Sequence, residues 1–293
     1  MKILFIGTVK FSLKLLERLI SLDANIVGVC TKKSFDFNSD FSDLTPICKE
    51  SNIPYIYVDD INSTKNIKWI KELSPDIIFC FGWSNLIKEE LISIPPLGIV
   101  GYHPAKLPQN RGRHPLIWAL VLGLEKSAST FFFMDDKADS GDIILQEEFE
   151  ILDTDDASKL YNKVLGIALK QVELLVFQLR TKSYTRFEQN HKLSNNWRKR
   201  NYLDGSIDFR MSSKAIYNLV RGLSKPYIGA SIKYNNQDIK IWKVQVVDIN
   251  LKNIEYGKVL SILNDTITVK TYDGAIKLLE HEFKTLPTVG KYL

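Results

Sequence analysis

Short apolar runs that alternate with amphipathic segments are the feature that most limits how this chain can fold. Residues 2–7 and 26–31 have the composition of buried strands, and residues 11–22 between them carry leucines and isoleucines at helical spacing. Because strands buried on both faces are typical of a parallel sheet covered by helices, the pattern predicts a doubly wound α/β domain. Further buried strands are predicted over residues 53–58, 76–81 and 97–102, and further helices over residues 44–51, 63–73 and 84–91.

The pattern changes after about residue 180. A polar stretch over residues 181–196 is interpreted as a linker, which gives two predicted domains, 1–185 and 186–293. The second is predicted to be smaller, β-rich and partly open, like an incomplete barrel, with hairpin turns at Asn264-Asp265 and Asp273-Gly274. Before the linker we predict strands over 128–134 and 143–149, a helix over 113–122, and a long helix that follows N-cap candidates at residues 153–156 and ends at about residue 179. After the linker we predict a helix over 212–223 and strands over 230–234, 238–247, 257–263, 266–271 and 275–280.

Composition limits which class of protein this chain can be and which cellular compartment it occupies. With 45% apolar and 25% charged residues, the 293-residue chain can bury two cores. Its three cysteines, Cys30, Cys48 and Cys80, are widely spaced, which favours buried free thiols over a disulfide framework or a zinc site. No apolar run approaches the roughly 20 residues that span a bilayer, and the N-terminal run lacks a signal-peptide cleavage site. We therefore expect a cytosolic protein without membrane contact.

Three predicted strand ends carry unusual sequence: Gly7-Thr8-Val9-Lys10, Phe81-Gly82-Trp83-Ser84 and Tyr102-His103-Pro104. Doubly wound sheets bind ligands beyond the carboxyl ends of their strands, so one cleft can collect all three. The first strand is not followed by Gly-x-Gly-x-x-Gly, and no Walker sequence is present, which argues against a nicotinamide or flavin dinucleotide.

The loop after the last of these strands carries the strongest chemical signal. His103 stands where a buried strand reaches the surface, and two prolines, Pro104 and Pro108, stiffen the backbone beside it. Downstream, Asp139 precedes Ser140-Gly141, which allows a tight turn that aims its carboxylate at the sheet. A histidine that takes a proton needs such a partner to stabilise the imidazolium. A structural histidine and a solvated aspartate loop are the alternatives.

These residues resemble a known family. His103-Pro104-x-x-Leu107-Pro108-x-x-Arg111-Gly112, followed by Asp139-x-Gly141, is similar to the signature of the 10-formyltetrahydrofolate-dependent formyltransferases. That family includes methionyl-tRNA, glycinamide ribonucleotide and nucleotide-sugar formyltransferases. The resemblance covers nearly the whole chain, since Gly7-Thr8, Phe81-Gly82-Trp83 and the β-rich second domain have counterparts. It implies a Rossmann-like catalytic domain, 10-formyltetrahydrofolate as formyl donor, and no metal.

The resemblance also implies roles for matching positions. His103 would take the proton of the attacking amine, and Asp139 would be its carboxylate partner. The implied folate-binding positions are Phe81, Gly82, Trp83, Leu86, Asp136, Lys137, Ser140 and Asp142. The implied acceptor-binding positions are Thr8, Lys10, Arg111, Gly112, Arg113, Trp197 and Arg198. Arg111-Gly112-Arg113 is also a candidate anion site at the start of the next helix, with a solvated helix start as the alternative.

One position departs from the family. The family triad has an asparagine two residues before the histidine, where it binds the formyl oxygen, and here that residue is Gly101. Losing one oxyanion donor typically costs about 2.7–4 kcal/mol, which slows a reaction by about 10²–10³. We expect a replacement donor: a backbone N–H, Gln109, Asn110 or His114. A catalytically weakened folate or sugar binder is the alternative.

The acceptor is predicted by elimination within the family. Residues 34–43 stand where tRNA-directed members carry a basic insertion, and here they include three acids and no base, so tRNA is a poor fit. The glycinamide ribonucleotide enzyme is usually a single domain. A UDP- or dTDP-linked amino sugar remains, for the synthesis of surface glycans or nonulosonic acids such as pseudaminic acid. The residues from Asn196 to Arg200 support this resemblance, and a homodimer is expected.

Two further interpretations stay open. One is a methionyl-tRNA formyltransferase, within the same family. The other is a nucleic-acid-binding module, because residues 191–293 carry 17 basic and 9 acidic residues, a net charge of +8, whereas residues 1–190 have a net charge of −3.

Overall fold

A computed structural model describes residues 1–34 and 40–293. Their contacts divide them into two compact units. Unit 1 comprises residues 1–112, 127–149 and 162–197, and unit 2 comprises residues 113–126, 150–161 and 198–293. The boundary predicted between residues 185 and 186 stays a prediction. The acidic segment at residues 34–43, which argued against tRNA, lies partly outside the described residues.

The strands up to residue 197 are β1 (Ile3–Ile6), β2 (Ile26–Thr31), β3 (Tyr55–Tyr57), β4 (Ile77–Cys80), β5 (Ile99–His103), β6 (Arg111–Gly112), β7 (Lys126–Phe133), β8 (Ile143–Glu150) and β9 (Asn196–Trp197). Seven of them form one sheet in the order β3-β2-β1-β4-β5-β7-β8. The first five pair in parallel, which confirms the doubly wound prediction. β7 pairs antiparallel to β5, so the sheet is mixed.

The helices up to residue 181 are α1 (Lys10–Ser21), α2 (Thr45–Glu50), α3 (Thr64–Leu73), α4 (Glu89–Ile92), α5 (Pro115–Val121) and α6 (Ala157–Thr181). Of these, α5 and the start of α6 belong to unit 2. α4 is shorter than the helix predicted over residues 84–91. The reason is local, because the Asn62 side chain donates to the Leu86 carbonyl and accepts from the Lys88 amide, and this holds the backbone out of the helix.

The core of unit 1 explains why the sequences of the strands are continuous apolar runs. Leu4, Ile6 and Ile78 are fully buried on one face of the sheet, where they cluster with Ile70 of α3. All three cysteines are free and buried, as predicted. Burial raises the pKa of the Cys80 thiol to about 12, so it stays a protonated core residue.

Unit 2 contains α7 (Ser213–Leu223) and the strands β10 (Ala230–Tyr234), β11 (Gln237–Val247), β12 (Val259–Leu263), β13 (Thr266–Lys270) and β14 (Ala275–His281). The strands form an antiparallel sheet in the order β10-β11-β14-β13-β12, with α7 packed on it. Asn264 and Asp265 both have positive φ angles, 46° and 64°, which fits the predicted hairpin turn. The barrel-like curvature stays a prediction.

The search for membrane-spanning segments covered residues 1–34 and 40–293. No helix in that part of the chain is long and apolar enough to cross a bilayer.

Candidate active site

The three unusual strand ends meet at one edge of the unit 1 sheet, as predicted, because β1, β4 and β5 are parallel neighbours. Side chains tie the first two loops together. Ser12 donates to the Phe81 carbonyl oxygen at 2.5 Å, and the Thr8 hydroxyl donates to the Gly82 carbonyl oxygen at 3.1 Å. Thr8 is buried, whereas Lys10, the first residue of α1, is exposed.

His103 ends β5 and is 5% exposed. Its Nδ1 lies 3.6 Å from Asp139 Oδ2. Its Nε2 lies 2.7 Å from the Asn110 carbonyl oxygen. A carbonyl oxygen can only accept, so this hydrogen bond places a proton on Nε2. The imidazole is therefore held between a carboxylate and a backbone carbonyl, and the pairing with Asp139 that the sequence predicted is present.

The turn that carries Asp139 depends on its neighbours. Asp139 adopts a left-handed conformation, with φ at 55°. A Cβ at Gly141 would collide with the Phe133 carbonyl oxygen, so a residue without a side chain is required there. The Ser140 hydroxyl donates to Asp135 at 2.6 Å and closes the turn. The Asp139 carboxylate accepts the Gly112 amide proton at 2.8 Å, which fixes it beside His103.

Arg111 and Gly112 form β6, which pairs in parallel with β9, Asn196–Trp197. A Cβ at Gly112 would meet the Trp197 carbonyl oxygen, so the backbones approach as only glycine allows. Arg111 is 7% exposed, and its Nη2 donates to Gln189 Oε1 at 2.6 Å and to His191 Nδ1 at 2.9 Å. The Arg111 Nε is buried and has no hydrogen-bond partner among the described residues.

Gly101 faces an apolar environment. An added Cβ would lie 3.0 Å from Phe132 Cζ and from Met134 Cγ, closer than side chains normally pack. Phe132 is the cross-strand partner of Gly101 in the pairing of β5 with β7. An asparagine at position 101 would therefore require Phe132 or Met134 to shift by a few tenths of an ångström.

The predicted folate-binding positions lie on two loops of unit 1. Trp83 and Met134, which begins the second loop, pack against the same core cluster. The Trp83 Nε1 is buried and has no hydrogen-bond partner among the described residues, so a polar ligand atom would satisfy it. Phe81 and Ser140 are buried, whereas Leu86, Asp136 and Lys137 are exposed. The Asp142 carbonyl oxygen accepts from the Phe133 amide.

The predicted residues Arg113 and Arg198 belong to unit 2, in a cluster with Trp118, Lys199 and Arg200. Burial, reinforced by the charges of Arg113, Arg200 and Lys199, lowers the pKa of His114 to about 4. Arg198 forms a two-bond ion pair with Asp204 and lies over the Trp118 ring at 5.3 Å. This pair lowers the pKa of Asp204 to about 2. The cluster has an excess of positive charge and an aromatic surface.

Sequence reasoning missed the residues that hold the site in place. Gln189 and Asn195 lie in the stretch interpreted as a linker, and both form hydrogen bonds to the loops around His103. Trp118 was also not predicted, and Arg200 was predicted only as part of the stretch from Asn196 to Arg200. A polar stretch carries no periodicity, so the only available signal was the cluster of bases and a tryptophan at residues 196–200.

Family models match both parts of the chain. The model described as "Formyl transferase" matches residues 1–173, and that described as "Formyl transferase, C-terminal domain" matches residues 201–289. A methionyl-tRNA formyltransferase of Clostridioides difficile is 30% identical over 100% of this chain and 96% of its own length.

Two solved structures share the fold over nearly the full length. One is WlaRD, described as a sugar 3N-formyl transferase in the presence of dTDP and 5-N-formyl-THF, with a TM-score of 0.72 and 21% identity, covering 98% of this chain and 99% of that one. The other is the N-formyltransferase of Helicobacter canadensis with folinic acid and dTDP-3-aminofucose, with a TM-score of 0.73 and 20% identity, covering 96% and 100%. With both of its parts matched, this chain belongs to the formyltransferase family of one-carbon transferases.

Proposed function

We propose that this protein transfers a formyl group from 10-formyltetrahydrofolate to the amine of a nucleotide-linked amino sugar. The observation that carries the proposal is the buried His103 with the partly exposed Asp139 beside it, with 3.6 Å between Nδ1 and Oδ2, at the edge of the sheet where the three strand ends meet. A buried imidazole beside a fixed carboxylate suits proton transfer in acyl transfer to an amine.

In the proposed reaction, the neutral amine attacks the formyl carbon, and the formyl oxygen becomes an oxyanion. His103 accepts the proton that the amine nitrogen loses, and Asp139 stabilises the imidazolium. The tetrahedral intermediate then collapses, its C–N bond to tetrahydrofolate breaks, and the folate nitrogen leaves as an amine with a proton returned by His103. Nε2 is the nitrogen that faces away from Asp139, so the acceptor amine must displace the Asn110 carbonyl oxygen from it. The proton of the neutral imidazole must then lie on Nδ1, facing Asp139, so that Nε2 can accept the proton of the amine.

Asn110 is our candidate for the donor that replaces the family asparagine. Its side-chain amide forms no hydrogen bond with any residue of the described chain, although its backbone carbonyl lies 2.7 Å from Nε2. A side chain attached at that point can reach a formyl oxygen held near Nε2. Gly101 itself has no side-chain donor, and an added Cβ would press against Phe132 and Met134.

The folate loops fit a pterin in two respects. They lie beside one apolar cluster, and the buried Trp83 Nε1 has no partner among the described residues. The remaining predicted folate positions stay predictions. The two solved sugar enzymes contain folate derivatives, which supports this type of donor.

The nucleotide-sugar acceptor is supported by those two structures, which contain dTDP or a dTDP-amino sugar. We propose that the positive cluster of unit 2, Arg113 included, recognises the acceptor's diphosphate, because arginine side chains bind phosphate oxygens. The competing acceptor is methionyl-tRNA, favoured by the full-length similarity to methionyl-tRNA formyltransferases. The predicted homodimer and cytosolic location stay predictions.

The test is a panel of acceptors. The protein is incubated with 10-formyltetrahydrofolate and, separately, UDP-amino sugars, dTDP-amino sugars or methionyl-tRNA, and release of tetrahydrofolate is followed. We expect release with at least one nucleotide sugar. Release of tetrahydrofolate with methionyl-tRNA alone would mean that methionyl-tRNA, and not a nucleotide sugar, is the acceptor. No release with any amine would refute the enzyme activity.

A further inference from the structure

Gln189 is the one residue between positions 181 and 197 that is classed as buried, with 3% of its surface exposed. It belongs to a bracing segment, residues 187–197 of unit 1, that runs alongside the site. The segment begins with a pair of backbone hydrogen bonds between Phe187 and Ile143, at 2.8 and 2.9 Å, and ends with β9. Burying an amide side chain in such a polar stretch is costly unless its hydrogen bonds are made.

Three of the four hydrogen bonds that this amide can form are present. Nε2 donates one proton to the Asp139 carbonyl oxygen at 3.0 Å and the other to the Gly141 carbonyl oxygen at 2.6 Å. Oε1 accepts from Arg111 Nη2 at 2.6 Å. A glutamate here would lose both donors, and a leucine would lose all three bonds. The chemistry of glutamine therefore matches the position.

These bonds link the two loops that fix the position of the Asp139 carboxylate. Gln189 holds the backbone of Asp139 on one side and the side chain of Arg111 on the other. The next residue, Gly112, donates its amide proton to Asp139 Oδ2 at 2.8 Å. Asn195 strengthens the same loop, because its Oδ1 accepts from the Asn110 amide at 2.8 Å and its carbonyl oxygen accepts from the Arg111 amide at 3.1 Å.

We propose that Gln189 is a positioning residue for formyl transfer: it sets the Asp139 carboxylate against His103 by joining the Asp139 turn to the Arg111 loop. This rests on the proposed function only in naming the reaction, since the positioning itself is a property of the free protein. Gln189 acts through Asp139 and touches no reacting atom.

The first test needs no substrate. Hydrogen exchange at the Gly112 amide reports whether Asp139 Oδ2 stays in place, because that oxygen is its acceptor. In Gln189→Leu, we expect Gly112 to exchange about tenfold faster or more, with the exchange of the central sheet strands unchanged. If Gln189→Leu does not fold, Gln189→Glu keeps the bond to Arg111, loses the two donated bonds and should show the same effect.

The matched control is Gln171→Leu. Gln171 is also buried in unit 1, at 5% exposure, and its amide bonds Ser129 alone, at 2.6 and 3.0 Å. We expect this variant to lose stability without a selective rise at Gly112. Equal acceleration in both variants would mean general loosening, and unchanged Gly112 exchange in Gln189→Leu would show that Asp139 is held without Gln189. Either result overturns the proposal.

The second test uses turnover. Gln189→Leu should lower kcat by about 10- to 100-fold with little change in the KM of the acceptor, because a small displacement of a catalytic group acts on the transition state. In the Asp139→Asn background the same substitution should cost almost nothing, because both act through one carboxylate. A full additional loss there would refute the coupling. A wild-type protein without turnover would refute the proposed function while the exchange test still decides the positioning.

Discussion

Positions 101 and 103 lie two residues apart on β5, so they face the same side of the sheet, yet they have opposite surroundings. His103 has a carboxylate beside it, and a part-buried hydrogen bond from the Gly112 amide holds that carboxylate. Gly101 has no side chain where the family resemblance implies an asparagine, and an added Cβ would press against Phe132 and Met134. We infer that the proposed base must stay at position 103, because two loops position its partner Asp139 there. An oxyanion donor, in contrast, can come from any residue that reaches the formyl oxygen.

The largest effect on turnover is expected at His103, the proposed base. His103→Asn should lower turnover by about 10²–10⁴ with the fold intact, because it removes the base. His281→Asn is the matched control, since His281 Nε2 also lies 2.7 Å from a backbone carbonyl oxygen, that of Asp265, in unit 2. Steady-state kinetics and circular dichroism measure both. Equal losses in the two variants, or none in His103→Asn, would show that the base is elsewhere.

The second prediction tests which residue replaces the family asparagine as the oxyanion donor. Asn110→Ala should lower kcat by about 10²–10³, the usual effect of removing one oxyanion donor. Gln109→Ala, on the same loop but exposed, is the control and should stay close to wild type. The reverse order of effects would move the donor to Gln109, and no effect in either variant would favour a backbone donor.

The third prediction concerns the space at Gly101. Gly101→Asn should lower the free energy of unfolding by about 1–3 kcal/mol through overpacking against Phe132 and Met134, without a gain in rate. Adding Met134→Ala should recover part of that loss, which urea denaturation would measure. A large rise in kcat for Gly101→Asn would instead mean that no other residue replaces the family asparagine as oxyanion donor and that the wild-type enzyme is weakened.

The smallest effect lies outside this pair of positions, in unit 2. Because the pKa of His114 is lowered to about 4 in the folded protein, the unfolded chain binds the extra proton first as the pH falls below its ordinary value, near 6.5. Stability should therefore fall between about pH 6.5 and 4, by an amount on the order of 1 kcal/mol since His114 is only half-buried. His114→Gln should remove this dependence.

Urea midpoints at pH 7 and pH 5, for the wild type and His114→Gln, measure that difference. The Asp204 carboxyl does not interfere, because its lowered pKa places its contribution between about pH 3.8 and 2. Identical shifts in both proteins would mean that the folded protein binds a proton at His114 as readily as the unfolded chain.

Sequence patterns predicted the parts of the molecule that local chemistry determines. The strands and most helices follow from apolar spacing, and the Asp139 turn follows from Gly141, which alone fits beside the Phe133 carbonyl oxygen. The antiparallel addition of β7 and the bracing role of Gln189 could not be predicted, because they depend on pairings between distant segments. The same holds for Gly101: its identity is visible in the sequence, but the side chains that fill its space are not.

We propose that His103 is the base for formyl transfer to an amino sugar attached to a nucleotide. The mass of UDP- and dTDP-amino sugars, after incubation with 10-formyltetrahydrofolate and either the wild-type protein or His103→Asn, tests this proposal. We expect the wild type to add one formyl group to at least one of these amines and His103→Asn to add little or none. Formylation of none of them by the wild type, or equal formylation by both proteins, would contradict it.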